Sequence, residues 1–261
     1  MHIITIKLYS IIFNYIHLYS FIFIYTMSFV FTCDSDLHFQ SDGTNILPRT
    51  KKQNNVKIIN RIKPDFTIVA GDLTNNGSDG SKILCIPISG PQEQLQNYVS
   101  QYAKPLEENN IPIFASMGNH DNWTYPPYIY MAIQKYIIKK YGNTVYNFIH
   151  KNVQFICLGI VPDSNALKYF HSIANKSLPI VLFFHYNLVG AFSDWWSDAQ
   201  KIAFNDAING YQIKLIVTGH LHECAAYFWN NYQVITCGGL GLYQCSYSDI
   251  TQSVTVEWVT S

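Results

Sequence analysis

Five apolar runs in this chain each end in a short block of oxygen and nitrogen donors. The runs are FVFTC, FTIVA, IPIFASM, IVLFF and IKLIV. The blocks that follow are Asp36-Leu37-His38, Gly71-Asp72, Gly118-Asn119-His120-Asp121, His185 and Gly219-His220-Leu221-His222. Short runs rich in β-branched and aromatic residues, bounded by turn signals, read as buried strands. In sheets of alternating strands and helices, ligands sit beyond the carboxyl ends of the strands, which is where all five blocks fall. Asp, Asn and neutral His are the donors that bind ions of the Mn, Fe, Zn or Mg type. Five of the nine histidines (His38, His120, His185, His220 and His222) lie in these blocks. Gly71, Gly118 and Gly219 each stand one residue before a candidate ligand, where glycine lets the backbone turn sharply.

The rest of the pattern sets the architecture. Residues 49–63 carry a helical stripe of Ile58, Ile59 and Ile62, stopped by Lys63-Pro64-Asp65. Residues 73–91 read as a long loop. A helix begins at Pro91, with the stripe Leu95, Tyr98, Val99 and Tyr102. Residues 122–143 read as loop then helix, and 143–149 with 153–160 as a hairpin about Lys151-Asn152. Helices near 164–175 and 195–208 lead into strands 179–184 and 213–218. Strands at 223–229, 232–237 and 253–260 follow. Near-equal gaps separate Asp36 from Asp72 and His185 from His220, each long enough for one strand–helix–strand unit. The expected fold is α/β: a four-layer α/β/β/α sandwich, two mixed β-sheets packed face to face with flanking helices.

At 261 residues, the chain holds one domain with a small extension. Its 17 basic and 17 acidic residues argue against a nucleic-acid footprint, which needs a basic excess. The six cysteines are irregularly spaced without a CxxC pair, and read as free thiols in a reducing compartment. Residues 1–26 form an apolar leader, and no charge occurs from Leu8 to Phe31. Three readings stand. The leader is a signal anchor of membrane-spanning length, a secretory signal peptide lacking an Ala-x-Ala site, or upstream sequence with the true start at Met27. The last is preferred, because a span would run into the first strand almost without a linker. It places the domain at 27–261 and the protein in the cytoplasm. A leader that is translated would make the protein membrane-anchored or secreted.

Taken together, the order DxH, GD, GNHD, H, GHxH resembles the calcineurin-like metallophosphoesterase superfamily, and the motifs run from Asp36 to His222. The resemblance implies two divalent or trivalent metal ions (Mn, Fe or Zn, with Mn favoured). Asp36, His38 and His222 would hold the first ion, Asn119, His185 and His220 the second, and Asp72 would bridge them. His120 would contact the substrate phosphate together with Asn119 and protonate the leaving oxygen. Asp121 would shape the loop or orient His120. The reaction implied is hydrolysis of a small phosphorylated substrate, a mono- or diester, by a hydroxide that the dinuclear centre activates.

Departures from the family's subclasses narrow the choice. The blocks GDLTNN and GNHD differ from the GDxVDRG and GNHE of protein Ser/Thr phosphatases, and no tyrosine follows Gly71-Asp72 as in purple acid phosphatases. A cyclic-nucleotide-type phosphodiesterase shares the DxH and GNHD blocks. A scaffold that retains the fold without catalysis is the alternative of a different class, although such proteins tend to lose ligand histidines. Of the neighbouring residues, Asp34 reads as a loop carboxylate rather than a ligand, and His150 and His171 as surface or core residues. Tyr125, Tyr128 and Tyr130 stack on a base or sugar or, the preferred reading, pack a loop on the rim. Trp195 and Trp196 wall the pocket or pack a helix.

Overall fold

The computed structural model describes residues 27–40, 49–75, 82–83, 86–87, 91–122, 132–238 and 241–260. The leader and the tyrosines of 125–130 lie outside the described residues. Two sheets dominate. The first contains β1 (Phe29–Asp34), β2 (Phe66–Val69), β5 (Ile113–Ala115), β12 (Leu242–Ser248) and β13 (Ser253–Val259), in the order β13-β12-β1-β2-β5. The second contains β6 (Tyr146–His150), β7 (Val153–Cys157), β8 (Pro179–Phe183), β9 (Gln212–Thr218), β10 (Ala225–Trp229) and β11 (Tyr232–Thr236), in the order β10-β11-β9-β8-β7-β6. Both are mixed: β1, β2 and β5 run parallel in one, with β5 at its edge, and β7, β8, β9 and β11 run parallel in the other. The expected sandwich is the one observed.

Three apolar clusters map onto the three layer boundaries. Phe31, Phe66 and Ile68 of the first sheet meet Phe155, Val181, Phe183 and Leu215 of the second in the central cluster. The outer face of the first sheet packs on α1 (Arg49–Ile62), on α2 (Pro91–Tyr98, which continues through a π turn at Val99–Ala103 into Lys104–Glu107) and on α3 (Ala132–Tyr141). The outer face of the second packs on α4 (Ser164–Ile173) and α5 (Asp198–Ile208). Strands covered on both faces need no polar alternation, so β2, β7 and β8 are buried at every position.

The helix ends follow local rules. Asp163 caps α4 by accepting from the backbone N–H of Asn165 and Ala166. Ser197 and Gln200 form a capping box at the start of α5. That helix therefore begins at Asp198, and Trp195 belongs to a separate 3₁₀ turn at Ser193–Trp195.

Two departures from the sequence reading matter. Within the expected loop 73–91, β3 (Lys82–Ile83) and β4 (Ile86–Pro87) pair antiparallel. More important, β12 was not anticipated, yet it pairs antiparallel with both β1 and β13 and so makes β1 an interior strand. Five described cysteines, Cys33, Cys157, Cys224, Cys237 and Cys245, are free, as expected, and Cys85 lies outside the described residues. Among the described residues, no helix is long and apolar enough to cross a membrane.

Candidate metal centre

The site forms where the carboxyl ends of β1, β2, β5, β8 and β9 meet. Asp36 and His38 leave β1, Asp72 leaves β2, and Asn119, His120 and Asp121 leave β5. His185 follows β8 and His220 and His222 follow β9. Parallel neighbours bring these ends to one side, and the loops are tied together by backbone bonds. Asp36 N–H donates to Gly71 O, His38 N–H to Asp72 O, and Gly219 N–H to His185 O.

The backbone here is strained. Asp36, His38, Asp72, His220 and His222 all have positive φ, between 47° and 72°. Non-glycine residues seldom take this left-handed conformation, which costs on the order of 1–3 kcal/mol where it persists. Each turn folds the chain back at the strand end and aims its side chain at the same space. The glycines are required by approach. A Cβ on Gly118 would lie 2.1 Å from Asp72 Oδ1, and one on Gly71, whose φ is +86°, would lie 2.6 Å from His185 Nδ1.

The donor atoms converge. One ligand atom from each of Asp36, His38, Asp72 and His222 lies within 4.8 Å of the others. His38 Nε2 is 3.0 Å from His222 Nε2, and His185 Nε2 is 2.9 Å from Asn119 Oδ1. Asp72 Oδ2 lies 3.6 Å from His38 Nε2 and 3.3 Å from His185 Nε2, between the two groups. His185 Nδ1 sits 2.8 Å from Ala70 O. A carbonyl can only accept, so Nδ1 carries the proton and Nε2 faces the site with its lone pair when the ring is neutral.

These residues fit metal ions on two counts. His220 Nε2 is buried without a hydrogen-bond partner, and Asp72 Oδ2 is buried with only the His185 and His38 ring nitrogens near it, at 3.3 Å and 3.6 Å. Buried polar atoms are normally satisfied, and a cation at the convergence point would satisfy both. Electrostatics agree. Burial alone would lower the pKa of His185, but the Asp72 carboxylate outweighs it and lifts the value to about 9. Burial, aided by His185, pushes His220 down to about 3 and keeps its ring neutral. Burial opposes the charged form of Asp72 too, yet the His185 imidazole holds its carboxyl well below the usual range. The pocket thus favours positive charge beside Asp72, which a metal ion supplies in place of a proton.

The remaining block residues do other work. His120 Nδ1 donates to Asn75 O at 2.8 Å, and its backbone N–H donates to Asp72 Oδ1 at 2.9 Å. The His120 and His38 rings meet edge-on at 4.6 Å. Of the two roles expected for Asp121, the hydrogen bonds match the shaping of the loop. Its carboxylate accepts from the backbone N–H of Leu73, Thr74 and Gly118 and from the Thr74 hydroxyl. Burial and the nearby Asp72 charge raise its pKa to about 6. Asp34, expected as a loop carboxylate, ends β1 fully buried. It accepts from Asn55 Nδ2 at 3.1 Å, Tyr102 Oη at 2.9 Å and Ser35 N–H at 2.9 Å.

Sequence reasoning named Trp195 as one possible pocket wall but missed Tyr186 and Phe192. Tyr186 and Trp195 pack against His220, with ring centroids 4.8 Å and 4.6 Å away. Phe192 lies 5.8 Å from the same ring. Trp196, by contrast, is buried as an anchor, and its indole N–H donates to Asn187 O. The adjacent WW pair was visible in the sequence, but not which ring faces the site. A cavity of about 400 Å³ is lined by Tyr186 together with Met117, Asn122, Gln134 and Thr144.

Comparison with known proteins agrees with this geometry. A family model described as calcineurin-like phosphoesterase matches residues 29–224. The fold is shared with a dimetal phosphatase from Danio rerio (TM-score 0.59, 11% identity, 87% of this chain and 98% of that one). It is also shared with GAP50, the anchor in the inner membrane complex of Plasmodium (TM-score 0.54, 14% identity, 89% and 84%). At such identities the likeness shows the fold alone. A search of curated proteins finds no match.

Proposed function

The chain belongs to the calcineurin-like phosphoesterase family and is a hydrolase acting on phosphoric ester bonds; on that premise, we propose that it cleaves a small phosphate mono- or diester at a two-metal centre. The observation that carries this reading is the position of Asp72 Oδ2, 3.6 Å from His38 Nε2 and 3.3 Å from His185 Nε2. One carboxylate oxygen between two donor groups is the arrangement a bridging ligand needs. On this reading Asp36, His38 and His222 hold one ion, and Asn119, His185 and His220 hold the other. The all-oxygen-and-nitrogen donor set suits Mn, Fe or Zn, and Mn is the first to test.

When bound, the ions supply Lewis acidity at the phosphoryl oxygens and lower the pKa of the attacking water. The chain's own residues then orient and exchange protons. The Nδ1 proton of His120 is committed to Asn75 O, so Nε2 is the nitrogen that gives a proton to the leaving oxygen. The Asn119 side-chain amide helps to place the phosphate. Asp121 positions both residues by fixing the loop that carries them, and it touches no reacting atom.

The test is hydrolysis of p-nitrophenyl phosphate and its bis-ester over a titration with Mn, Fe and Zn. Activity should appear with at least one metal and fall sharply in His120→Ala and Asp72→Ala. Unchanged activity in both variants, or none with any metal, would sink the catalytic reading and favour a scaffold. The ratio of mono- to diester rates would separate the phosphatase from the phosphodiesterase form.

A further inference from the structure

From the aromatic rim we infer that the site takes a phosphoester whose leaving or retained group is a flat, uncharged aromatic ring, stacked on Trp195 and Phe192 beside His220. This specifies the substrate class of the reading above and rests on it.

Exposure is the first support. Trp195 is 52% and Phe192 53% exposed, although each lies within ring contact of the buried His220. A tryptophan that served packing alone would be expected to resemble its neighbour Trp196, which is 2% exposed. The two rings face each other at 82° with centroids 6.2 Å apart, an open corner rather than a closed cluster.

Strain is the second. Phe192 has φ 61° and ψ 2°, a left-handed conformation that a bulky side chain rarely takes. The loop around it is held rigidly. The Asn187 side chain is fully buried and donates to Val189 O and Ala191 O at 2.8 Å each, and the buried Trp196 donates to Asn187 O. The chain thus fixes the loop from below while presenting two large apolar rings to solvent. Such a platform costs little ordering when a ring lands on it.

Charge is the third. Residues 186–197 and 219–224 contain Asp194 and Glu223 and no lysine or arginine. The residues lining the cavity beside Tyr186 likewise include no basic side chain. Neither those two segments nor that cavity lining offers a basic side chain to a second or third phosphate. Selection therefore favours a single phosphate carrying a neutral ring over a polyanion. Both an aryl phosphate and a nucleoside monophosphate have this chemistry.

The experiment compares kcat/KM of the Mn-loaded protein for phenyl phosphate, thymidine 5′-monophosphate and glycerol 2-phosphate in wild type, Trp195→Ala, Phe192→Ala and Trp195→Phe. Stacking on one aromatic side chain is worth roughly 5- to 100-fold. Trp195→Ala and Phe192→Ala should lose that factor on the two ring substrates and stay within about threefold on glycerol 2-phosphate. Trp195→Phe should recover most of the loss. The nucleotide-to-phenyl ratio then tells a nucleobase from a simple aryl group. Equal losses on all three substrates would overturn the inference, since the rings would then act only by holding His220. No loss on any would overturn it as well.

Quenching of tryptophan fluorescence by phenyl phosphate, with inorganic phosphate as control, gives a readout independent of turnover. Quenching that depends on Trp195 supports the platform even if no ester is hydrolysed, a result that would fault the catalytic reading instead. Absence of quenching in a protein that hydrolyses phenyl phosphate faults the platform alone.

Discussion

Two clusters of charged side chains join the two sheets, one at each end of the parallel strands. At the amino end, Asp65 precedes β2 and meets the β6–β7 turn. Its Oδ1 receives Lys151 Nζ at 2.9 Å and His150 Nε2 at 3.0 Å, and its Oδ2 accepts from Val30 N–H at 3.3 Å. At the carboxyl end, Asp36 and Asp72 meet imidazoles instead: His38 and His222 for the first, His38 and His185 for the second. Lysine is a permanent cation, so the first cluster balances within the protein. At the carboxyl end two carboxylates share a buried space in which His185 is the ring raised toward the charged form and His220 is held neutral, so negative charge is only partly compensated there, at a cost. The same kind of bridge between sheets is therefore balanced by protein charges at one end and open to a cation at the other.

Substitution at the two carboxylates should separate these roles most sharply. Asp72→Ala is expected to lower metal-dependent phosphoester hydrolysis by roughly 1000-fold or more, the loss of several kcal/mol of transition-state charge stabilisation. Asp65→Asn should leave kcat/KM within about twofold. A comparable loss in both would mean that the carboxyl-end cluster is structural like the other.

Metal binding gives the next largest contrast. An ion that binds only the folded protein stabilises it by about 2.7 kcal/mol at 100 times its dissociation constant. Urea unfolding with and without Mn should show a gain of that order in wild type and in Asp65→Asn, and little in Asp72→Ala. A gain that survives Asp72→Ala would place the ion elsewhere.

The two clusters also differ in how far the sequence revealed them. The carboxyl-end donors were legible because each follows a strand-like run, and Gly71, Gly118 and Gly219 mark the turns. Their left-handed backbone was not, since five aspartates and histidines with positive φ carry no compositional sign. Asp34 was misread because its partners, Asn55 and Tyr102, arrive from helices packed on the outer face and are distant along the chain. The Asp65 pairing depends in the same way on β6–β7 docking across the sandwich. Strand β12 does show alternation, with Tyr243, Cys245 and Tyr247 facing the intersheet core between Gln244 and Ser246. The glycines at 238, 239 and 241 just before it hid that signal by reading as loop.

Asp121 tests whether the site's own scaffold behaves like the balanced cluster or the unbalanced one. Its carboxylate holds three backbone N–H groups and the Thr74 hydroxyl, yet burial and Asp72 oppose its charge. Removing it leaves those donors unpaired, which costs more than the buried charge relieves. Asp121→Ala should destabilise the fold by roughly 2 kcal/mol in urea and lower activity by disordering Asn119 and His120. A stable but inactive variant would instead give Asp121 a direct catalytic part.

The smallest effect belongs to the amino-end pair, and its sign with pH is fixed by the direction of the Asp65 shift. Burial works against the Asp65 carboxylate, but Lys151, the Val30 N–H and His150 together bring its pKa below the ordinary value. A depressed carboxylate stabilises the fold above its unfolded pKa of about 3.9 and loses that contribution as pH falls through the folded value. Asp65 and its partners remain partly exposed, so screening limits the pair to about 0.5–1 kcal/mol. Asp65→Asn should therefore be less stable than wild type by that amount at pH 7, with the gap closing as the solution is acidified below about pH 4 and shrinking in high salt. Stability curves in urea at pH 7 and pH 3 measure it. A gap that persists at pH 3 would assign the contribution to the Val30 hydrogen bond and packing rather than to charge, and the amino-end cluster would no longer be an electrostatic counterpart of the candidate metal centre.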